Sequence, residues 1–139
     1  MSNDREQPQS VAVQYTPEFK RNLRQLARKY RRIKADIQPV LDALEQGQTP
    51  GDQIPGVPYT VFKVRTRNSD SGKGKSGGYR VIYQQTAEGT IVLVTIYSKT
   101  EQEDIAPQDI RQIILDYETQ VDIPSEGRAE TPTPARNDE

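Results

Sequence analysis

The chain has 139 residues, a formal net charge of −1, 32% hydrophobic residues, and neither His nor Cys. That length suits one domain, and the two missing residue types exclude a disulfide framework, a thiolate metal site and imidazole acid–base chemistry, so no metal is expected. The small net charge hides a split: residues 18–99 carry 15 Lys and Arg against 7 Asp and Glu, whereas residues 100–139 carry 3 against 11. A basic body with an acidic tail points to a polyanionic partner for the body.

Residues 1–10 and 119–139 are expected to be disordered tails around a folded unit at 11–118, because segments so poor in large apolar side chains cannot offset their ordering entropy. The longest apolar stretch, Ile91–Ile96, has strand length, and no charged-then-apolar leader is evident. The expectation is a cytoplasmic protein without a membrane partner.

Val11–Tyr15 reads as a short strand. Thr16-Pro17-Glu18 is a helix start, with Thr as cap, Pro at the first helical position and an acid in the first turn. Phe19, Leu23, Leu26 and Tyr30 then form one helical face, opposite a basic face that includes Arg24 and Arg28. A second helical pattern turns Ile37, Val40, Leu41 and Leu44 inward. Asp36 is expected to cap it, Pro39 to sit in its first turn and Gly47 to end it, so that the two helices form a hairpin. Gln48–Pro58 reads as a loop. Three strands follow at Tyr59–Arg67, Gly78–Gln85 and Thr90–Ser98, in an order that suits an antiparallel meander. Pro107 begins a short helix with Ile110, Ile113, Ile114 and Tyr117 inward.

The chemistry concentrates on the first two of those three strands. At a period of two, Lys63, Arg65 and Arg67 share one strand face while Phe62 and Val64 take the other. The loop that follows holds Gly72-Lys73-Gly74-Lys75-Ser76-Gly77-Gly78, and the next strand carries Arg80 near its start. This is not a phosphate-binding P-loop, because Ser69 stands where the first glycine is required and the loop joins two strands instead of opening a helix. Lys73 and Lys75 are instead expected as phosphate contacts on a hairpin loop. Cations in this arrangement suit the charge that develops when RNA is cleaved through its own 2′-OH.

Three segments carry a resemblance to a known family: Lys63-Val64-Arg65, Gly74-Lys75-Ser76-Gly77-Gly78-Tyr79-Arg80-Val81-Ile82-Tyr83, and Ile96-Tyr97-Ser98-Lys99-Thr100-Glu101-Gln102-Glu103-Asp104-Ile105. Together they resemble the RelE/ParE toxin superfamily, most closely the HigB-type toxins of type II toxin–antitoxin systems. The resemblance implies an α+β fold of RelE type: an N-terminal strand and helical hairpin packed on a twisted antiparallel sheet, with a short C-terminal helix. It also implies a ribosome-dependent mRNA interferase that works without metal or small-molecule cofactor and is neutralised by a cognate antitoxin, expected to be of helix-turn-helix type. The catalytic set carried over is Lys63, Arg65, Arg80 and Lys99, with Tyr97 as a proton donor. Arg67, Lys73, Lys75, Tyr79, Arg24 and Arg28 are the expected RNA contacts. Two positions depart from the RelE pattern. Thr100 replaces an arginine, and the family's catalytic tyrosine falls near Ile105 and Ala106, so Tyr97 and Tyr79 are the substitutes. The same fold also serves a ParE-like inhibitor of DNA gyrase, or a non-catalytic homologue that only binds antitoxin.

Overall fold

The computed structural model describes residues 11–70 and 78–122. The expectations for the two termini and for Lys73 and Lys75 therefore fall on residues outside that description, except that the C-terminal helix runs past 118. The elements are β1 (Val13–Tyr15), α1 (Pro17–Lys29), α2 (Ile33–Glu45), β2 (Asp52–Gln53), β3 (Thr60–Thr66), β4 (Tyr79–Gln85), β5 (Ile91–Ser98) and α3 (Pro107–Asp122). One five-stranded sheet, in the order β1-β5-β4-β3-β2, carries α1 and α2 on one face and α3 on the other.

β3, β4 and β5 form the expected antiparallel meander, but β1 joins β5 in parallel, with Val13 opposite Ile91, so the sheet is mixed. The reason lies in the order of the elements: the helical hairpin between β1 and the meander returns the chain to the far edge of the sheet. β2, which sequence patterning read as loop, is two residues long and pairs Asp52 with Lys63 and Gln53 with Phe62. Such a fragment carries no periodicity to detect. Gly51 precedes it at φ 95°, and a Cβ there would collide with the Lys63 carbonyl, so only glycine fits.

Thr16 caps α1 as its sequence predicts. Its Oγ1 accepts from the Phe19 N–H at 2.9 Å and donates to the Val94 carbonyl at 2.7 Å, which fastens the helix start to β5. α2 differs from expectation. It starts at Ile33, so Pro39 lies inside it, exposed, and Asp36 is not the cap. The Arg32 N–H, at the N-terminal boundary of the helix, instead donates to the Asp70 carboxylate at 2.9 Å, while Asp36 Oδ2 accepts from the Ser69 N–H at 2.9 Å and from Ser69 Oγ at 3.0 Å. The segment leaving β3 is thus tied to the start of α2. α3 has 16 residues and ends at Asp122, so the C-terminal helix is longer than the short one expected and passes the boundary placed at 118.

Two cores hold the layers together. Phe19, Leu26, Ile33, Ile37, Val40 and Leu44 of α1 and α2 pack on Val64, Tyr79, Val81, Tyr83, Leu93 and Ile96. On the other face Ile110 and Ile114 of α3 pack on Val61, Ile82, Val94 and Tyr97. No helix among the described residues is long and apolar enough to cross a membrane.

Candidate functional site

The register of the meander lines up three polar side chains. Arg65 of β3 lies directly opposite Arg80 of β4, and Arg80 lies opposite Tyr97 of β5. Residues directly opposite in a sheet project from the same face, so the three form a row across it. Lys63 lies two residues before Arg65, on the same face. This is the face covered by α3, and the row sits at the end of the sheet where α3 begins. Phe62 and Val64 enter the helix-side core, as the alternation requires.

Two arginines directly opposite each other repel, and a site that keeps such a pair is suited to an anion. Arg80 is 6% exposed, so its charge is largely withdrawn from water. Burial first, then the neighbouring Arg65, lowers its pKa, and Tyr97 and Asp104 oppose that shift. The Arg80 Nη1 also donates to the Tyr79 carbonyl at 3.4 Å, which fixes the guanidinium against β4.

Asp104, in the segment between β5 and α3, joins this row. Its Oδ1 accepts from Lys63 Nζ at 3.3 Å, from the Tyr97 hydroxyl at 3.3 Å and from the Ile105 N–H at 2.8 Å. Those donors, the backbone N–H foremost, hold its carboxyl below the ordinary aspartate value, against a smaller opposing effect of burial. Tyr97 shifts the other way: burial and then Asp104 push its pKa up to about 12, partly offset by Arg80. The segment bearing Asp104 is anchored to α1, since Glu101 Oε2 accepts from Lys29 Nζ at 2.9 Å and from the Tyr30 hydroxyl at 3.3 Å.

The sequence-derived set divides in space. Lys63, Arg65, Arg80 and Tyr97 come together. Arg67, one residue past β3, is exposed and continues the alternation of Lys63 and Arg65. Lys99, one residue past β5, is half-buried, with Nζ 3.9 Å from Glu103 Oε2. Arg24 and Arg28 are exposed on α1, in the layer on the opposite face from the row. Tyr79 is a correction. It is 0% exposed in the helix-side core, its ring 5.8 Å from that of Tyr30, so it has no surface to offer RNA and cannot stand in for the family's tyrosine. The neighbours β3 and β4 force this, because Tyr79 pairs with Thr66 and alternates with Arg80. Asp104 was missed. Its signal was available, because it stands next to Ile105, where the family's proton donor falls, but in an acidic run it reads as a solvated loop.

A family model described as the ParE toxin of type II toxin–antitoxin system, parDE, matches residues 13–103, which takes in the helical hairpin, the meander and every member of the row up to Lys99. Comparison with curated proteins gives no match. A basic row on the α3 face of this sheet and a family match across most of the folded unit converge on one assignment: the chain belongs to the ParE toxin family of type II toxin–antitoxin systems, within the RelE/ParE superfamily, and has a cognate antitoxin as its partner.

Proposed function

We propose that this toxin is a metal-independent, ribosome-dependent endoribonuclease of HigB type that cuts mRNA at the A site. The observation that carries the reading is the row Arg65–Arg80–Tyr97 with Lys63 and Asp104 beside it. In the reaction, the RNA 2′-oxygen attacks the adjacent phosphorus, the P–O5′ bond breaks, and the products are a 2′,3′-cyclic phosphate and a free 5′-hydroxyl. Arg80 and Arg65 hold the scissile phosphate and stabilise the added negative charge, an effect worth roughly 3 kcal/mol for one well-placed donor. Lys63 and Lys99 add positive potential, and Arg67, Lys73 and Lys75 hold flanking phosphates.

Two protons must move. Asp104, ionised at neutral pH, takes the 2′-OH proton, and Tyr97, protonated at neutral pH, gives its own to the 5′-oxygen. The direct hydrogen bond between the two lets the proton return from Asp104 to Tyr97 after cleavage. A carboxyl with a lowered pKa is a weak base, so charge stabilisation by the arginines supplies the larger share of the acceleration. The antitoxin, of helix-turn-helix type in this reading, silences the toxin by covering the basic row.

Family membership itself favours a second reading, in which the chain inhibits DNA gyrase as ParE-branch toxins do and the basic row only docks a partner. Induced expression in a bacterial host separates the two. Under the nuclease reading growth stops, mRNA is fragmented and the DNA-damage response stays silent, and Arg80→Ala abolishes the arrest. An induced DNA-damage response with intact mRNA would transfer the assignment to gyrase.

A further inference from the structure

A second concavity of the sheet face lies away from the basic row. It is an open cleft of about 740 Å³ at the other end of the same sheet face, beneath the C-terminal half of α3. Gln84 of β4 forms part of its floor, in register with Val61 on one side and Val92 on the other, and Gln14 follows next to Val92. Tyr59 and Tyr117 stand in the walls, held by hydrogen bonds from their hydroxyls to Glu118 Oε1 at 3.5 Å and to Gln14 Oε1 at 2.9 Å. Gln84 is four residues along β4 from Arg80, a separation on the order of 13 Å, so the cleft and the basic row are separate sites.

Gln84 is the unusual group. It is 6% exposed, yet among the described residues its carboxamide has no hydrogen-bond partner. Its carboxamide reaches the surface of the cleft and is not sealed in the core, so it meets solvent there in the free protein. A donor and an acceptor at the cleft surface, unclaimed by other side chains, can pair with a ligand there.

We propose that this cleft binds an uncharged nucleobase or nucleoside, with Gln84 reading the edge of the base. A carboxamide presents a donor and an acceptor side by side, which matches the paired groups on a base edge. The two tyrosines supply aromatic surface of the kind on which unstacked bases rest. Charge sets the ligand class: Glu88 and Glu118 line the cleft, and no Lys or Arg does, so a phosphate is repelled. The site therefore takes a nucleoside in preference to its nucleotide, and it does not depend on the nuclease reading of the basic row.

The test is a titration of the full-length chain, followed through its ¹H–¹⁵N spectrum, with each of the four ribonucleosides, their 5′-monophosphates, and N-acetylglutamine amide as a peptide-like probe. At least one nucleoside should shift the Gln84 side-chain amide together with Tyr59 and Tyr117, and its monophosphate should bind more weakly. Gln84→Leu should weaken binding by about tenfold or more, the scale expected for removing a hydrogen-bonding partner of the ligand. Gln84→Glu, which keeps the shape and alters the donor pattern, provides the same affinity readout if the leucine variant does not fold. The proposal is overturned if no nucleoside moves the Gln84 signal, if binding survives both substitutions, or if monophosphates bind as tightly as nucleosides. A response to the peptide-like probe alone would also overturn it and assign the cleft to a polypeptide.

Discussion

Arg65 and Arg80 are the clearest case of a residue pair that lowers stability in the free protein. Two cations directly opposite on neighbouring strands cost roughly 0.2–1 kcal/mol, and the exposure of Arg65 places this pair toward the lower end. Arg65→Gln should therefore raise the thermal midpoint slightly while cutting mRNA cleavage by about tenfold or more, as removal of one charge-stabilising donor does. A variant that loses stability and keeps cleavage would remove Arg65 from the site. Tyr97 gives a second prediction. Its folded pKa of about 12 lies above the ordinary tyrosine value of about 10, so its contribution to stability is complete below pH 10 and is lost as pH rises from there toward 12. Tyr97→Phe should accordingly shift the midpoint of alkaline unfolding upward. The same variant should cut RNA poorly while binding it normally, because it lacks the proton that goes to the 5′-oxygen. The cations were legible in the sequence because strand alternation is a strong local rule; Asp104 was not, because its meaning comes from Lys63, which lies 41 residues away in the chain and 3.3 Å away in space.

At the scale of elements, Thr16 and α3 carry the testable claims. Thr16→Val removes a helix cap and leaves the Val94 carbonyl without its buried donor, which should cost about 2 kcal/mol in urea unfolding. A loss of a few tenths of a kcal/mol would mean that the cap does not couple α1 to β5. α3 seals the face that carries the basic row, through Ile110 and Ile114 against Ile82 and Val94. Ile114→Ala should cost about 2–5 kcal/mol, the usual range for truncating a buried aliphatic side chain. Most elements could be read from periodicity and capping: the basic strand, the two strands after it, the first helix and its Thr16 start all stand where local pattern puts them. What could not be read depends on partners distant in the chain. β1 pairs in parallel because β5 offers an edge, β2 is two residues long, and α2 starts early because Asp70 satisfies the N–H of Arg32. Local propensity alone, with Asp36 and Pro39 as its markers, puts that start four residues too late.

For the whole molecule, the two sheet faces have separate tasks. The face under α1 and α2 is a continuous apolar core, and the face under α3 is divided between a basic row at one end and an amide-lined cleft at the other. RNA binding through the row should weaken steeply with added salt, because several phosphates release their counterions on binding, with a slope near −0.7 per phosphate contact on single strands. The central claim is that Arg80, set between Arg65 and Tyr97, holds a phosphate that is cleaved. Primer extension on a defined mRNA in a purified translation system, with and without ribosomes, tests it most directly when the wild type is compared with Arg80→Ala. The expected result is cuts that require ribosomes, fall within A-site codons and vanish with Arg80→Ala. Uncut mRNA in every lane, or cuts that persist in the Arg80→Ala lane, would contradict it.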